Sequence, residues 1–345
     1  MRSTELLTVC WKNNSVVMID QTKLPDKLVF VKCTNYEQLA DCIRRLVVRG
    51  APAIGVAAAF GLALAAMKSR ASSTSELIYE LETAFKTLRN TRPTAVNLFW
   101  ALDRVMQKAR SQTSVKAIRE AVLKEALKMS EEDILANKQM GSFGAALIED
   151  GDAVLTHCNA GALATVAYGT ALGVLRSAKE QGKRISVIAT ETRPVLQGAR
   201  LTAFELKHDD IDVSVAPDTA VGSLMARGVI KKVIVGADRV LRTGHVFNKI
   251  GTYQVAILAK KHGMPFYVAA PLSSFDLNSN PDQVTVEERS FDEVVMMGGK
   301  RVVPEGVRVF NPAFDMTPPE FISGIITEKG ILTPPYDISI KTVLG

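Results

Sequence analysis

The residue best placed for chemistry is Cys158, whose thiol follows a short apolar run, Ala153–Leu155. A long pattern of small residues, 162–178, comes next, so the order predicts a strand, a tight turn and a helix. A thiol at the amino end of a helix lies near free backbone N–H groups, which favour a thiolate that exchanges a proton near neutral pH. Gly161 would also let the backbone approach an anion at this turn. The alternative interpretation is that Cys158 is a small hydrophobic residue of the core.

Asp238 is the second candidate for chemistry. It lies in the segment Val-Gly-Ala-Asp-Arg, whose valine is the last residue of the apolar run Val233–Val235. A carboxyl group shielded from water at the end of a strand retains its proton to a higher pH, so it could act as a general acid. A helix cap, or an ion pair with Arg239, is the alternative explanation for this residue.

The segment Arg49-Gly50-Ala51-Pro52 could hold a phosphate group. Gly50 lets the backbone bend, and Pro52 suits the first turn of a helix, so an arginine would lie beside an exposed helix amino terminus. Such an arrangement binds phosphate through the guanidinium and the free N–H groups. A surface arginine followed by an ordinary helix cap is the alternative.

Two further polar segments are predicted to lie in loops. Arg92 precedes a proline, which disfavours the helical conformation, so Arg92 should project from a loop. Asn248 and Lys249 are expected in a loop before a helix that begins near Thr252, and Lys249 is a candidate phosphate contact.

The predicted elements divide the chain into two domains, residues 1–145 and 146–345. The first reads as a small sheet followed by helices. In the second, short β-branched runs alternate with helical patterns, which predicts an α/β fold with a Rossmann-like, doubly wound parallel sheet. The predicted strands are Ala153–Leu155, Ile185–Ile188, Val213–Val215, Val233–Val235 and Phe266–Val268.

Ligands of such sheets bind outside the carboxyl ends of the strands, and polar side chains gather there in this sequence. In chain order they are His157, Cys158 and Asn159, then Glu191, Arg193 and Gln197, then Asp218, and finally Asp238 and Arg239. Neighbouring strand residues point to opposite faces, so His157 is interpreted as a packed histidine and not as a partner of the Cys158 thiol.

Composition excludes several classes of function. The net charge of +6 comes from scattered Lys and Arg, and aromatic residues make up only 6%, so a small anion suits the chain better than nucleic acid. The four cysteines form no C-x-x-C pair, so neither a metal site nor a disulfide framework is predicted, and the cytoplasm is the expected location. The uncharged run 51–67 is interpreted as a packed helix and not as a membrane span. No dinucleotide or Walker motif occurs, so no cofactor is predicted.

The chain resembles the methylthioribose-1-phosphate isomerase family over nearly its full length. The matching stretches are Ile19–Pro25, Val48–Gly55, Arg92–Leu98, Thr156–Thr165, Glu191–Pro194, Gln197–Arg200, Gly236–Arg239, Asn248–Thr252, Asn311–Asp315 and Thr317–Pro318.

The resemblance implies an aldose–ketose isomerase of methionine salvage that works as a homodimer without metal or nucleotide. It implies that Cys158 and Asp238 are the catalytic pair. It also implies a set of residues that hold the sugar phosphate, namely Arg49, Gly50, Ala51, Arg92, Gln197, Asn248 and Lys249. No nucleic acid or membrane partner is expected.

Three features depart from the family pattern, and they concern the fit around the far end of the sugar. Val195 stands where relatives often carry a basic residue, and both Pro217–Ala220 and the loop Leu241–Phe247 differ from the common versions. Three alternatives therefore stay open: a ribose-1,5-bisphosphate isomerase, a regulatory subunit of the translation initiation exchange factor, and a sugar-phosphate sensor.

Overall fold

The computed structural model describes residues 6–92 and 95–344, and the chain divides into two units. The first unit is Met1–Gln139 with Ala160–Gly173, and the second is Met140–Asn159 with Val174–Gly345. The division at Gln139 comes a few residues before the predicted boundary at residue 145. The assignment of Ala160–Gly173 to the first unit was not predicted, because it depends on contacts between residues far apart in the sequence.

Those contacts lie within the first unit. The Thr8 N–H donates to the Val166 carbonyl at 2.9 Å, and the Thr8 hydroxyl donates to the Ala162 carbonyl at 2.7 Å. The Gln21 side-chain amide donates to the Leu163 carbonyl at 2.7 Å. Since these are buried hydrogen bonds to backbone groups, they fix the path of the Ala160–Gly173 segment.

The first unit combines a three-stranded antiparallel sheet with helices. The strands, in the order β1-β2-β3, are β1 (Val9–Lys12), β2 (Ser15–Ile19) and β3 (Phe30–Cys33). The helices are α1 (Tyr36–Arg44), α2 (Ala51–Lys68), α3 (Thr74–Arg89), α4 (Val96–Arg110) and α5 (Val115–Ala145), of which α5 continues into the second unit from Met140 onward.

Helix α2 forms the core of the first unit and is the only described helix long and apolar enough to cross a membrane. Its residues from Ala51 to Ala66 are all buried, which confirms the interpretation as a packed helix. The small residues allow close neighbours: a Cβ at Gly55 would lie 2.9 Å from the Asn97 carbonyl oxygen, and one at Gly61 would lie 2.8 Å from a Leu88 methyl. A helix that is apolar on every side is explained by burial on every side.

The second unit is built on a seven-stranded sheet with the order β16-β15-β10-β7-β4-β5-β6. Its neighbouring strands run parallel except for β16, which pairs antiparallel with β15. The strands are β4 (Ala153–Thr156), β5 (Ser186–Thr190), β6 (Asp212–Ala216), β7 (Lys232–Val235), β10 (Phe266–Ala269), β15 (Gly324–Thr327) and β16 (Gly330–Leu332). All five predicted strands are present, so the predicted α/β fold with a doubly wound parallel sheet is confirmed.

Smaller strands and the helices complete the second unit. A second sheet has the order β11-β8-β9-β14, and β12 and β13 form a hairpin. These strands are β8 (Arg239–Leu241), β9 (Val246–Lys249), β11 (Phe275–Asp276), β12 (Met296–Met297), β13 (Lys300–Arg301) and β14 (Phe314–Thr317). The helices are α6 (Ala171–Glu180), which belongs to this unit from Val174 onward, α7 (Ala203–His208), α8 (Val221–Ala226), α9 (Thr252–Lys261), α10 (Asp292–Val295) and α11 (Tyr336–Leu344).

Candidate functional site

Cys158 occupies a backbone conformation that is unusual for a residue with a side chain. It lies two residues beyond β4, its φ is +64°, and 8% of the residue is exposed. Its N–H donates to the Thr192 hydroxyl oxygen at 2.9 Å, and its carbonyl accepts from the Thr202 hydroxyl at 2.6 Å. These bonds hold both peptide groups of Cys158 and so set the direction of its side chain.

The prediction that a helix directly follows Cys158 is wrong. Helix α6 begins only at Ala171, and the intervening loop contains a 3₁₀ turn, Ala162–Ala164. The Ala160 carbonyl accepts from the N–H groups of Thr170 and Leu172 at the start of α6. The small residues that resemble a helix pattern instead form a buried loop with a positive φ at Gly169. A stabilising helix dipole beside the Cys158 thiol therefore has no support in this geometry.

Asp238 comes three residues after β7, and its N–H donates to the Phe247 carbonyl at 2.9 Å. Asp238 is half-buried. The element that follows it is strand β8 and not a helix, so the helix-cap alternative is wrong. Arg239 forms an ion pair with Asp276, with 3.1 Å between Nη1 and Oδ2. Asp238 also interacts electrostatically with Arg239, so the alternative of an ion pair between these two residues stays open.

The sheet brings the ends of the Cys158 and Asp238 strands together. Strands β4 and β7 are parallel neighbours, with Leu155 opposite Val233. The chain reverses its direction of winding at this pair, because β5 and β6 lie on one side of β4 while β7 and β10 lie on the other. Ligands of doubly wound sheets bind in the crevice at such a reversal. The thiol and the carboxyl group thus follow the two strands that define it.

Gln197, in the second unit, has a buried side-chain oxygen that can accept a hydrogen bond. It is 8% exposed, and its side-chain Oε1 has no hydrogen-bond partner among the described residues. A buried acceptor left unpaired costs about 1–3 kcal/mol, so a ligand hydroxyl that donates to it would be favourable. The π-helical turn Gly198–Thr202 follows, and a Cβ at Gly198 would lie 1.7 Å from the Thr190 carbonyl oxygen. Only glycine fits directly after Gln197.

Asn248 and Lys249 lie in strand β9, so the prediction that they lie in a loop is wrong. Both are buried, at 6% and 7% exposure, because β9 pairs with β14 and with β8. The Asn248 amide donates to the Thr252 hydroxyl at 3.0 Å, and the Lys249 Nζ lies 4.9 Å from the centre of the Phe314 ring. A buried lysine ammonium is costly to desolvate, which suits a site that receives an anion.

The amino terminus of α9 is already occupied by a carboxylate. Asp315, opposite Asn248 in β14, accepts from the N–H groups of Gly251 and Tyr253 at 2.7 and 3.1 Å. Burial raises the pKa of Asp315 to about 6. A phosphate near Lys249 would therefore not be held by the free N–H groups of this helix.

In the first unit, the amino terminus of α2 differs from that of α9, because no carboxylate caps it among the described residues. Gly50 has a φ of +95°, and no side-chain hydrogen bond caps the helix among the described residues. Ala51 is 8% exposed, and Arg49 is half-buried beside it. The helix is uncapped as expected, but its first residues, Ala51–Ile54, are buried and not exposed. Binding of a phosphate there stays a prediction.

Arg92 belongs to the same unit as Gly50 and lies half-buried between α3 and α4. Its carbonyl accepts from the Ala95 N–H at 3.2 Å. Pro93, which was the basis for expecting a loop at Arg92, lies outside the described residues.

His157 is a packed histidine, as predicted. It is 2% exposed, its Nδ1 lies 2.6 Å from the Thr190 hydroxyl, and its Nε2 lies 2.8 Å from the Ile250 carbonyl oxygen. Since a carbonyl only accepts, Nε2 carries the proton and Nδ1 accepts from Thr190. Burial lowers the pKa of His157, and the neutral ring satisfies both hydrogen bonds.

We expect His157 to make the protein less stable in acid. Its lowered pKa means that the unfolded chain binds a proton near pH 6.5 when the folded chain does not. The free energy of unfolding should therefore fall by up to about 1.4 kcal/mol per pH unit below about pH 6.5. Urea unfolding between about pH 7.5 and about pH 5.5 measures this slope.

The comparison that isolates this contribution is between His157→Gln and His262→Gln, which replaces an exposed histidine. His157→Gln should reduce the fall in the free energy of unfolding as the pH is lowered, and His262→Gln should leave that fall unchanged. Asp315 contributes with the opposite sign, since its raised pKa lowers stability as the pH rises towards 6. An unchanged slope in His157→Gln would contradict a neutral buried His157.

The described residues, 6–92 and 95–344, contain no group of three or more His, Cys, Asp or Glu side chains arranged to hold a metal ion. All four cysteines are unbridged. Cys33 and Cys42 approach each other most closely, with 3.6 Å between their sulfurs, and they lie in the first unit.

Comparison with known proteins gives matches along almost the whole chain. The model of the Initiation factor 2 subunit family matches residues 47–334. The methylthioribose-1-phosphate isomerase of Thermosipho africanus is 52% identical over 336 residues, 97% of each chain. The structure of 5-methylthioribose 1-phosphate isomerase from Pyrococcus horikoshii is 44% identical, with a TM-score of 0.92, and the match covers 99% of this chain and 97% of that one. A structure described as translation initiation factor eIF-2B, subunit delta, from A. fulgidus is 51% identical, with a TM-score of 0.88 and coverage of 98% and 99%.

Proposed function

Because this chain belongs to the Initiation factor 2 subunit family, and within it to the methylthioribose-1-phosphate isomerases, we propose that it isomerises 5-methylthioribose 1-phosphate to 5-methylthioribulose 1-phosphate in methionine salvage. The observation that carries this proposal is the position of Cys158 and Asp238 after the neighbouring strands β4 and β7. A thiol and a carboxyl group at the point where the sheet reverses its winding provide two groups that can exchange protons with one bound molecule.

The reaction needs two separate movements of hydrogen. Phosphate on the anomeric carbon prevents spontaneous opening of the sugar ring, so the ring oxygen must first receive a proton. Half-buried Asp238 is the group proposed to donate it. The bond between that oxygen and the first carbon then breaks, and the ring oxygen becomes a hydroxyl.

Hydrogen must next pass from the second carbon to the first. Either Cys158 removes a proton from the second carbon and returns it to the first through an enediol-type species, or the hydrogen moves directly as hydride. In both routes the hydroxyl of the second carbon loses its proton and becomes the ketone, and that proton can restore Asp238. The atoms balance without an external oxidant or reductant.

The family resemblance implies seven residues that contact the substrate. Arg49, Gly50, Ala51 and Arg92 are proposed to hold the phosphate, which is supported by the uncapped amino terminus of α2. In the second unit, Gln197 offers its unpaired acceptor to a sugar hydroxyl, and Asn248 and Lys249 are proposed as polar contacts.

Two other functions are the alternatives to this proposal. The A. fulgidus relative is described as an initiation factor subunit, which keeps a regulatory role as an alternative. A binding module would have no chemical reason to place both a thiol and a carboxyl group at the reversal point. A ribose-1,5-bisphosphate isomerase would use the same pair but would need basic groups around the fifth carbon, where Val195 removes one candidate.

Substrate comparison is the experiment that tests the proposal. We expect a much higher kcat/KM for 5-methylthioribose 1-phosphate than for ribose 1,5-bisphosphate, because a buried unpaired phosphate is strongly disfavoured in an apolar pocket. Both substrates should be assayed on one preparation, with 5-deoxyribose 1-phosphate as a neutral probe. A preference for the bisphosphate would overturn the substrate assignment, and no turnover of any of the three would favour the binding role.

The proposal has three further parts. We propose a homodimer, a cytoplasmic location and a Rossmann-like description of the second unit, the last supported by the parallel order β6-β5-β4-β7-β10-β15. The dimer is measurable by sedimentation, in which a particle of the monomer mass of 37.4 kDa at micromolar concentration would contradict it.

A further inference from the structure

Asp218 follows strand β6 and has no part in the proposed chemistry, yet its carboxylate holds the loop after β5. Its Oδ1 accepts from the Thr192 N–H and its Oδ2 from the Arg193 N–H, both at 2.7 Å. Two short bonds from one carboxylate to consecutive N–H groups fix the orientation of both peptide planes. The side chain of Asp218 thus sets the conformation of Thr192.

Thr192 in turn holds Cys158. Its hydroxyl oxygen accepts from the Cys158 N–H at 2.9 Å, and its own proton is directed towards Thr190, whose carbonyl oxygen and hydroxyl both lie at 3.2 Å. The hydroxyl therefore acts both as an acceptor towards Cys158 and as a donor towards Thr190. The hydrogen bonds run without a break from the loop after β6 to the turn after β4.

Both residues in the path have backbones that need such support. The φ of Thr192 and the φ of Cys158 are each +64°, in the left-handed region that a β-branched residue rarely adopts. Strained conformations persist where neighbouring groups over-determine them, and they concentrate at functional sites. The Asp218 carboxylate and the Thr192 hydroxyl supply that constraint for the turn that carries the thiol.

We propose that Asp218 is a positioning residue of the isomerase, which acts through Thr192 to hold the Cys158 turn in its reactive geometry. This inference rests on the proposed role of Cys158 in moving hydrogen. Both carboxylate oxygens of Asp218 are engaged with backbone N–H groups, so it acts on Cys158 through the backbone of Thr192. Removing it shifts the thiol relative to the substrate without removing a substrate contact.

The test begins with Asp218→Asn, which preserves the shape of the side chain but places an amide NH₂ against one of the two N–H donors. A misplacement of about 1 Å can cost about a hundredfold in rate, so kcat should fall by about tenfold to a hundredfold while KM changes by less than about threefold. The matched control is Asp150→Asn, because the Asp150 Oδ1 also accepts a backbone N–H, that of Arg184, at 2.7 Å, but in the turn before β4. The control should retain wild-type kcat and KM.

A second readout reports on the thiol directly and needs no substrate. The rate of Cys158 alkylation by iodoacetamide, followed peptide by peptide by mass spectrometry, should change by more than about threefold in Asp218→Asn. The rate at Cys10, in the first unit, should not change. Unchanged kcat and unchanged Cys158 alkylation, with only a lower melting temperature, would overturn the proposal and leave Asp218 a purely structural residue.

A second pair of variants covers the case in which Asp218→Asn does not fold. Thr192→Ser retains the hydroxyl that accepts from Cys158 and should keep kcat near the wild-type value. Thr192→Val removes it and should reproduce the loss of kcat and the changed alkylation. Equal activity of the two would refute the path through the hydroxyl. If alkylation responds as expected but the wild type turns over no sugar phosphate, the proposed function fails while the positioning of Cys158 stands.

Discussion

Cys158→Ala and Asp238→Asn should each lower kcat by about a hundredfold to ten-thousandfold, the usual cost of removing a group that transfers a proton. Alanine removes the thiol, and asparagine retains the size of the carboxyl group but has no acidic proton to give to the ring oxygen. Because other residues are proposed to hold the phosphate, the dissociation constant for the sugar phosphate should stay within a few-fold of wild type. Steady-state kinetics and isothermal calorimetry measure the two quantities separately.

Controls for this pair exist in the same chain. Cys10→Ala removes a partly exposed thiol from β1, and Asp212→Asn neutralises an exposed carboxylate at the amino end of β6. Both should keep wild-type kcat. Near-normal turnover in either Cys158→Ala or Asp238→Asn would show that the residue concerned is not catalytic, even if the isomerase assignment is correct.

Gly50→Ala should damage both stability and substrate binding. A Cβ at Gly50 would lie 2.4 Å from the Ala164 Cα and 2.5 Å from the Ala164 carbonyl oxygen, at a φ of +95°. The strained conformation costs about 1–3 kcal/mol, and forcing the two backbones apart costs about 1–3 kcal/mol more. Since Gly50 leads into the uncapped amino terminus of α2, KM should also rise, and urea unfolding with parallel kinetics measures both effects.

Gly330→Ala separates the cost of backbone strain from the cost of the collision with Ala164. Gly330 has a φ of +126°, but a Cβ there meets no atom within 4 Å, so its substitution introduces strain without a collision. The stability loss should be smaller than for Gly50→Ala, and KM should not change. Equal losses in the two variants would mean that contact with Ala164 contributes nothing.

The sequence predicted the strands and the polar residues after them, because alternation of apolar runs with helical patterns is a local property. It could not predict that β7 lies beside β4, since strand order depends on contacts between distant segments. Because β4 and β7 are parallel neighbours, Cys158 and Asp238 follow adjacent strands at the same edge of the sheet. The role proposed for Asp218 could not be predicted either, because the sequence shows it only as one polar residue after a strand.

Two errors in the predicted site have the same physical origin. Ala162–Tyr168 has the small-residue composition of a helix, but buried hydrogen bonds from Thr8 and Gln21 hold it as a loop. Asn248 and Lys249 are polar residues before a helix and so resemble a loop, but pairing with β14 makes them part of a strand. In each case tertiary contacts outweighed local preference.

The assignment of Ala160–Gly173 to the first unit means that neither unit is a continuous piece of chain. During synthesis on a ribosome, the first unit cannot be completed when residue 139 emerges, because the carbonyl partners of Thr8 and Gln21 are still to be made. A fragment that ends at residue 145 would likewise contain the donors without their acceptors and Gly50 without Ala164. Strand β4, which leads to Cys158, is thus made before the first unit can be completed, so the chain cannot be divided by a single cut into its two units.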